Sequence, residues 1–242
     1  ATYKGVSHFK VSTGKFERIY FQHPDRNFEV GNRFYNLVFD QQGNLWLAGL
    51  GLFRYSIATR QSEIFLPVRD DSTSISDGNL ITQLVYDSVH QGIWCTTGSV
   101  LNFYSLEKKV FYHRLNNPLH WSVLNEADGA EITMDNELRL WFRKKSTQTL
   151  CVIDFEKNEI RDTGKKVIYG VKQISTDDQN RLWVFYWQYP AEIVYPEQSY
   201  IDTTFLGHHH AHSAVSNKAN SLFIDHDLNY WIASGDGISI YD

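Results

Sequence analysis

The side chains of this 242-residue chain that are placed for recognition chemistry are aromatic rather than nucleophilic. Of its seven tryptophans, Trp121 and Trp187 stand outside the regular spacing of the other five, in the runs His120-Trp121 and Phe185-Tyr186-Trp187-Gln188-Tyr189-Pro190. An indole on a loop covers the apolar face of a sugar ring, while polar neighbours fix its hydroxyls. Arg143, Gln188 and Glu192 are candidates for those hydrogen bonds. The competing reading is that both indoles merely cap the end of the core. The expected ligand-binding set is Trp121, His120, Arg143, Tyr186, Trp187, Gln188, Tyr189 and His210, with no catalytic residue and no metal ligand.

Two other patterns invite chemistry and do not carry it. His208-His209-His210-Ala211-His212 suggests a metal, but adjacent histidines on one loop cannot converge on one ion, so the run reads as a solvated loop within reach of a ligand. Asp40, Asp87, Asp135, Asp177 and Asp225 supply carboxylates, yet all five stand at the same place in a repeat, where an Asp folds onto the backbone ahead and starts a turn. Choosing any two as acid and base is arbitrary. The chain has no glycine-rich phosphate loop before a helix, no nucleophile elbow and no zinc spacing, so no cofactor is expected.

The elements that must hold these residues follow from the remaining tryptophans. Trp46, Trp94, Trp141, Trp183 and Trp231 recur at intervals of 48, 47, 42 and 48 residues, each six or seven positions after one of the five Asp residues. A period in the forties with β-branched and aromatic strands is that of a four-stranded propeller blade, whose small sheet buries its faces only against neighbours. The expected fold is therefore all-β, a β-propeller of four-stranded antiparallel blades over residues 1–242, with about five repeats present. Each unit opens with a hairpin from the apolar strand through the Asp turn to the Trp strand. Third strands are expected at 51–55, 100–104, 150–154, 192–195 and 237–241, and fourth strands at 62–66, 109–113, 158–161 and 198–201. Because Gly43 and Asn180 occupy a turn position that Leu138 and Leu228 fill elsewhere, with Gly92 in a turn longer by one residue, the turn type is expected to vary.

Residues 5–9 and 15–20 resemble a third and a fourth strand, and the last repeat supplies strands one to three. Two readings follow: a five-bladed ring closed by N-terminal strands, or an arc of a larger ring. The duplicated third strand favours the arc. Formal net charge of −5 and the lack of a long basic run exclude a phosphate-binding surface for nucleic acid. No stretch approaches the roughly 20 apolar residues of a membrane span, and no apolar run after Ala1-Thr2-Tyr3-Lys4 marks a signal peptide. Cys95 and Cys151 read as small buried hydrophobes.

The run from Val38 through Asp40, Gly43-Asn44-Leu45-Trp46, Gly49-Leu50-Gly51 and Tyr55 resembles the two-component regulator propeller repeat, and residues 222–241 and 78–104 are similar to it. The repeats centred on Trp141 and Trp183 keep Asp and Trp but lose the glycine turn. The resemblance implies a noncatalytic periplasmic sensor domain of a bacterial hybrid two-component system, whose parent is anchored in the inner membrane. It further implies an oligosaccharide ligand, a homodimeric receptor, a downstream histidine kinase and a ring of seven blades. The alternatives are a secreted polysaccharide-processing propeller enzyme or its carbohydrate-binding module, and a protein-binding scaffold. In a four-stranded blade the two-to-three turn and the link to the next blade share one rim, opposite the Asp turns. Residues 21–33, 67–79, 113–129 and 203–219 are therefore expected on that rim, and residues 113–129 with the turns after Trp141 and Trp183 are the expected ligand face.

Overall fold

The computed structural model describes residues 4–10, 12–78, 80–126, 128–167, 170–189, 191–195, 201–202, 219–225, 227–234 and 237–241. Within them the chain is built almost wholly of antiparallel β-sheet, in blades of up to four strands, as the repeat requires. It divides into two compact units, Ala1–Ala130 and Glu131–Asp242.

The first unit begins with a two-stranded sheet, β1 (Val6–Lys10) against β2 (Lys15–Ile19). A blade follows, of β3 (Asn36–Phe39), β4 (Asn44–Gly49), β5 (Gly51–Ser56) and β6 (Ser62–Phe65), paired in that order. The next blade is β7 (Leu84–Asp87), β8 (Gly92–Thr97), β9 (Val100–Ser105) and β10 (Val110–Tyr112). A short helix, α1 (Phe28–Gly31), precedes the first blade, capped by the Asn27 side chain accepting from the Val30 amide.

The boundary between units falls within β11 (Gly129–Met134), which heads a blade completed by β12 (Leu140–Lys144), β13 (Thr149–Asp154) and β14 (Glu159–Lys166). Then come β15 (Val171–Thr176), β16 (Leu182–Tyr186), β17 (Glu192–Val194) and β18 (Ile201–Asp202). The last sheet is β19 (Ala219–Ile224), β20 (Tyr230–Ser234) and β21 (Gly237–Tyr241). Strand β14 runs beyond the expected 158–161, and the fourth strand expected at 198–201 is described only as Ile201–Asp202, since residues 198–200 lie outside the described set.

Trp46, Trp141 and Trp183 are wedges between neighbouring sheets. Trp46, Trp94, Trp141 and Trp183 are at most 1% exposed. Trp46 clusters with Leu84, Ile93 and Tyr104 of the following blade, and Trp141 with Val171, Ile174 and Leu182 of its own successor. Trp183 clusters with Ile232 and Leu222 in the same manner. Truncating such a side chain to alanine costs about 3–5 kcal/mol, so each wedge holds its sheet pair together.

The Asp turns share one device. In every repeat one carboxylate oxygen of the Asp accepts two amides of the turn; at Asp135 these are those of Glu137 and Arg139. The other oxygen accepts the indole N–H: Asp40 from Trp46 at 2.8 Å, Asp87 from Trp94 at 3.0 Å, Asp135 from Trp141 at 2.7 Å. Asp177 takes Trp183 at 2.8 Å and Asp225 takes Trp231 at 2.7 Å. The buried indole donor is thereby satisfied, as a polar group removed from water must be.

The expectation that turn type varies is corrected. Gly43, Leu138, Asn180 and Leu228 all have positive φ, at 76°, 63°, 59° and 65°, and Gln91 takes that role in the longer turn at 51°. Tight pairing across the Asp hairpin demands this backbone whatever the residue, so the leucines are held in a conformation that costs an L-residue about 1–2 kcal/mol. Gly92 is not a turn residue. It opens β8, where a Cβ would lie 2.1 Å from the Phe103 ring, so its role is close packing.

Cys95 and Cys151 are free thiols, both buried. Burial pushes the Cys95 thiol well above its usual range, which makes it inert. Among the described residues no helix is long and apolar enough to cross a membrane.

Candidate functional site

The two off-register tryptophans have opposite fates. Trp121 heads a 3-10 turn (Ser122–Asn125) whose Val123 and Leu124 are fully buried. Its ring stacks on Trp94 at 5.6 Å between centroids and meets Phe103 edge-on at 5.2 Å and His90 at 4.8 Å. Asn117 fixes it from both sides, accepting from the Trp121 amide and donating to its carbonyl. Trp121 therefore takes the capping role that competed with ligand contact: it covers the Trp94 ring of its own blade. His90 belongs to an Asp turn, so this loop folds back toward the end opposite the expected rim. His120, exposed and with φ at 54°, precedes it.

Trp187 lies bare. The turn between β16 and β17 leaves Trp187 56% and Tyr189 51% exposed, with Gln188 between them on the surface. Beneath them Tyr186 is buried; its hydroxyl donates to Glu192 at 2.6 Å, and its ring meets Tyr189 edge-on at 6.2 Å. This hydrogen bond pins the carboxylate of the first residue of β17 below the exposed aromatics. The Trp187 amide donates to the Gly170 carbonyl at 2.9 Å, fastening the turn to the lead-in of β15.

The register between β15 and β16 slips between Val171 and Gln173, leaving Lys172 as the extra residue of a bulge. Bulges re-aim a side chain, and here the Lys172 ammonium lies 5.1 Å from the centre of the Trp187 ring. Burial pulls this lysine below its ordinary pKa. Trp187, Gln188, Tyr189, Lys172 and the Tyr186–Glu192 pair thus form one amphipathic patch: two aromatic faces beside a cation, an amide and a carboxylate. Gln188 and Glu192 are expected beside the aromatics; Lys172 is the charge the sequence does not point to, since no sequence signal marks the bulge.

Arg143 is spent on structure. Its side chain is 8% exposed and bidentate on Glu131, at 2.7 Å and 3.2 Å, with a third bond to Gln148 at 3.3 Å. A guanidinium engaged in this way locks the turn after Trp141. His210 and the rest of the histidine run lie outside the described residues. Among the described residues no group of three or more His, Cys, Asp and Glu side chains could hold a metal ion.

No protein-family profile matches this chain, and no curated protein does. Solved structures do. The extracellular domain of a proposed hybrid two component system from B. thetaiotaomicron is similar over 99% of this chain and 37% of its own, at 17% identity and a TM-score of 0.64. The extracellular domain of a proposed one component system from the same organism is similar over 99% and 30%, at 16% identity and 0.69. Virginiamycin B lyase from Staphylococcus aureus is similar over 99% and 77%, at 14% identity and 0.61. The chain thus spans about a third of the length of the two extracellular domains, and at these identities the likeness is one of fold.

Proposed function

We propose that this chain is a noncatalytic ligand-sensing propeller of the hybrid two-component type, that its ligand is an oligosaccharide, and that the turn from Trp187 to Tyr189 is the contact face. The observation that carries the reading is the exposure of Trp187 and Tyr189 on a turn anchored from below by Tyr186 and Glu192. Exposed aromatics held rigid lose little conformational freedom on binding, and their faces match the C–H faces of a pyranose. Gln188, Glu192 and Lys172 supply the donors and acceptors that orient hydroxyl groups. The similarity to extracellular domains of signalling systems supports a sensing role outside the cytoplasm, and the resemblance of the repeats implies a periplasmic receptor that pairs with a second copy and passes its signal to a kinase.

The lyase among the similar folds makes the enzyme reading worth excluding directly. Calorimetric titration of the chain with a panel of plant, fungal and host oligosaccharides, followed by chromatography of each mixture, tests both points. Saturable 1:1 binding of one sugar class, returned unaltered, is the expected result. Cleavage of any panel member, or binding of none, contradicts the proposal.

A further inference from the structure

A cleft of about 340 Å³ opens between the β1–β2 sheet and the first blade. Its walls include Phe39 and Ile57, both more than half exposed. Large apolar side chains left bare on a cleft wall mark a surface meant to be covered.

The register of β1–β2 identifies the place of these strands in the repeat. Val6 faces Ile19, Ser7 faces Arg18 and His8 faces Glu17. In the first blade Leu52 faces Phe65, Phe53 faces Ile64 and Arg54 faces Glu63. The two pairs of strands match position for position, so β1 and β2 are strands three and four of a repeat. Among the described residues β1 pairs with β2 and no other strand, whereas β5 pairs on both edges.

The junction between the first and second blades then serves as a template for the cleft. There Trp46 lies 5.9 Å from Arg54, stacks on Phe65 at 5.8 Å and meets Tyr104 at 5.3 Å. Ile93, Leu84, Tyr86 and Leu106 belong to the same cluster, with Ile75, Ile81 and Phe111 beside them. Moved back one repeat, Arg54 becomes His8 and Phe65 becomes Ile19, while Tyr104 becomes Tyr55 and Ile93 becomes Leu45. By the same step Tyr86 becomes Phe39, Leu84 becomes Leu37 and Leu106 becomes Ile57. All seven counterparts line the cleft. Trp46, with Val38 and Ala48 beside it, has no counterpart among the described residues.

We propose that this cleft is an indole seat: it takes a β-hairpin of the chain's own repeat type, an apolar strand, an Asp turn and a Trp strand. The hairpin adds to the open edge of β1 and inserts its indole between Ile19 and Tyr55. Main-chain pairing supplies the docking geometry and the indole the specificity, as in strand addition generally. The interface continues the blade-to-blade contact already formed by Trp46.

The test uses the chain's own hairpin. Residues 36–50 are joined ahead of Gly5 in place of residues 1–4, which keeps the natural spacing because Leu50 leads into Gly51, the counterpart of Gly5. Melting temperature is expected to rise by about 5–10 °C, the scale that burying one tryptophan implies for a chain of this size. The same extension with its copied tryptophan replaced by alanine is expected to melt like the unextended chain. An unchanged melting temperature, or an equal rise with the alanine version, overturns the proposal.

A second arm keeps the question decidable should the extended chain fail to fold. A synthetic peptide of residues 36–49 with fluorine-labelled tryptophan is titrated into the unmodified chain. A 1:1 shift of the fluorine resonance, displaced by unlabelled peptide but not by its Trp→Ala form, supports the seat, and an unshifted resonance at millimolar peptide overturns it. Self-association of the chain in sedimentation that the alanine extension abolishes as fully as the tryptophan extension assigns the face to a second copy and equally overturns it.

Discussion

At the scale of single residues the fold rests on a bond that joins two side chains six or seven positions apart. One Asp oxygen organises the turn and the other holds the indole, so a single carboxylate ties the hairpin to the wedge that packs against the neighbouring sheet. Replacing Asp135 by alanine strips Trp141 of its acceptor and Glu137 and Arg139 of theirs. The expected loss is about 2–4 kcal/mol in urea unfolding, because a buried donor is left unsatisfied. The spacing that reveals this pair is plain in the sequence. The bond itself was not read from it, because turn formation already explains every one of these Asp residues and leaves the second oxygen unnoticed. Leu138 and Leu228 carry the converse prediction. Both sit at positive φ with side chains 41% and 56% exposed, so Leu138→Asn or Leu228→Gly relieves strain and forfeits little packing. Each is expected to stabilise the chain by about 0.5–1 kcal/mol.

At the scale of elements, acid acts on the turns of Asp225 and Asp87. The carboxyl of Asp225 is held at about 2, first by its bond from the Trp231 indole and then by Asn229. Asp87, against the opposing effect of burial, is held below its ordinary range by His90 and Trp94. A carboxyl depressed on folding stabilises the folded chain at pH above its unfolded value near 3.8, and that contribution disappears as pH falls toward 2. Circular dichroism is therefore expected to show stability eroding between about pH 4 and 2, and Trp231→Phe is expected to raise the Asp225 pKa seen by carbon NMR. Strands were legible because their alternation and period are repeated; β5, β9, β13 and β21 lie within a residue of their expected bounds. The bulge at Lys172 and the folded-back loop at Trp121 were not, since an extra residue in a strand or an indole turned inward leaves no periodic trace.

At the scale of the whole molecule, the repeat fixes a surface division of labour: tryptophans on the period serve the blades, and those off it are free to serve something else. Trp121 shows that freedom spent on covering Trp94, and Trp187 shows it retained. The candidate site was legible as a run of aromatics, but sequence spacing could not tell a capping indole from a bare one, and Arg143, chosen for its charge, proved to be engaged with Glu131. The most direct test of the sensing account titrates the oligosaccharide selected from the panel into Trp187→Ala and Trp121→Ala side by side, with a melting curve for each. The account predicts that Trp187→Ala loses about tenfold or more in affinity, equivalent to 1.4 kcal/mol, while melting unchanged. It predicts that Trp121→Ala melts lower and binds as before. Unaltered affinity in Trp187→Ala would contradict it.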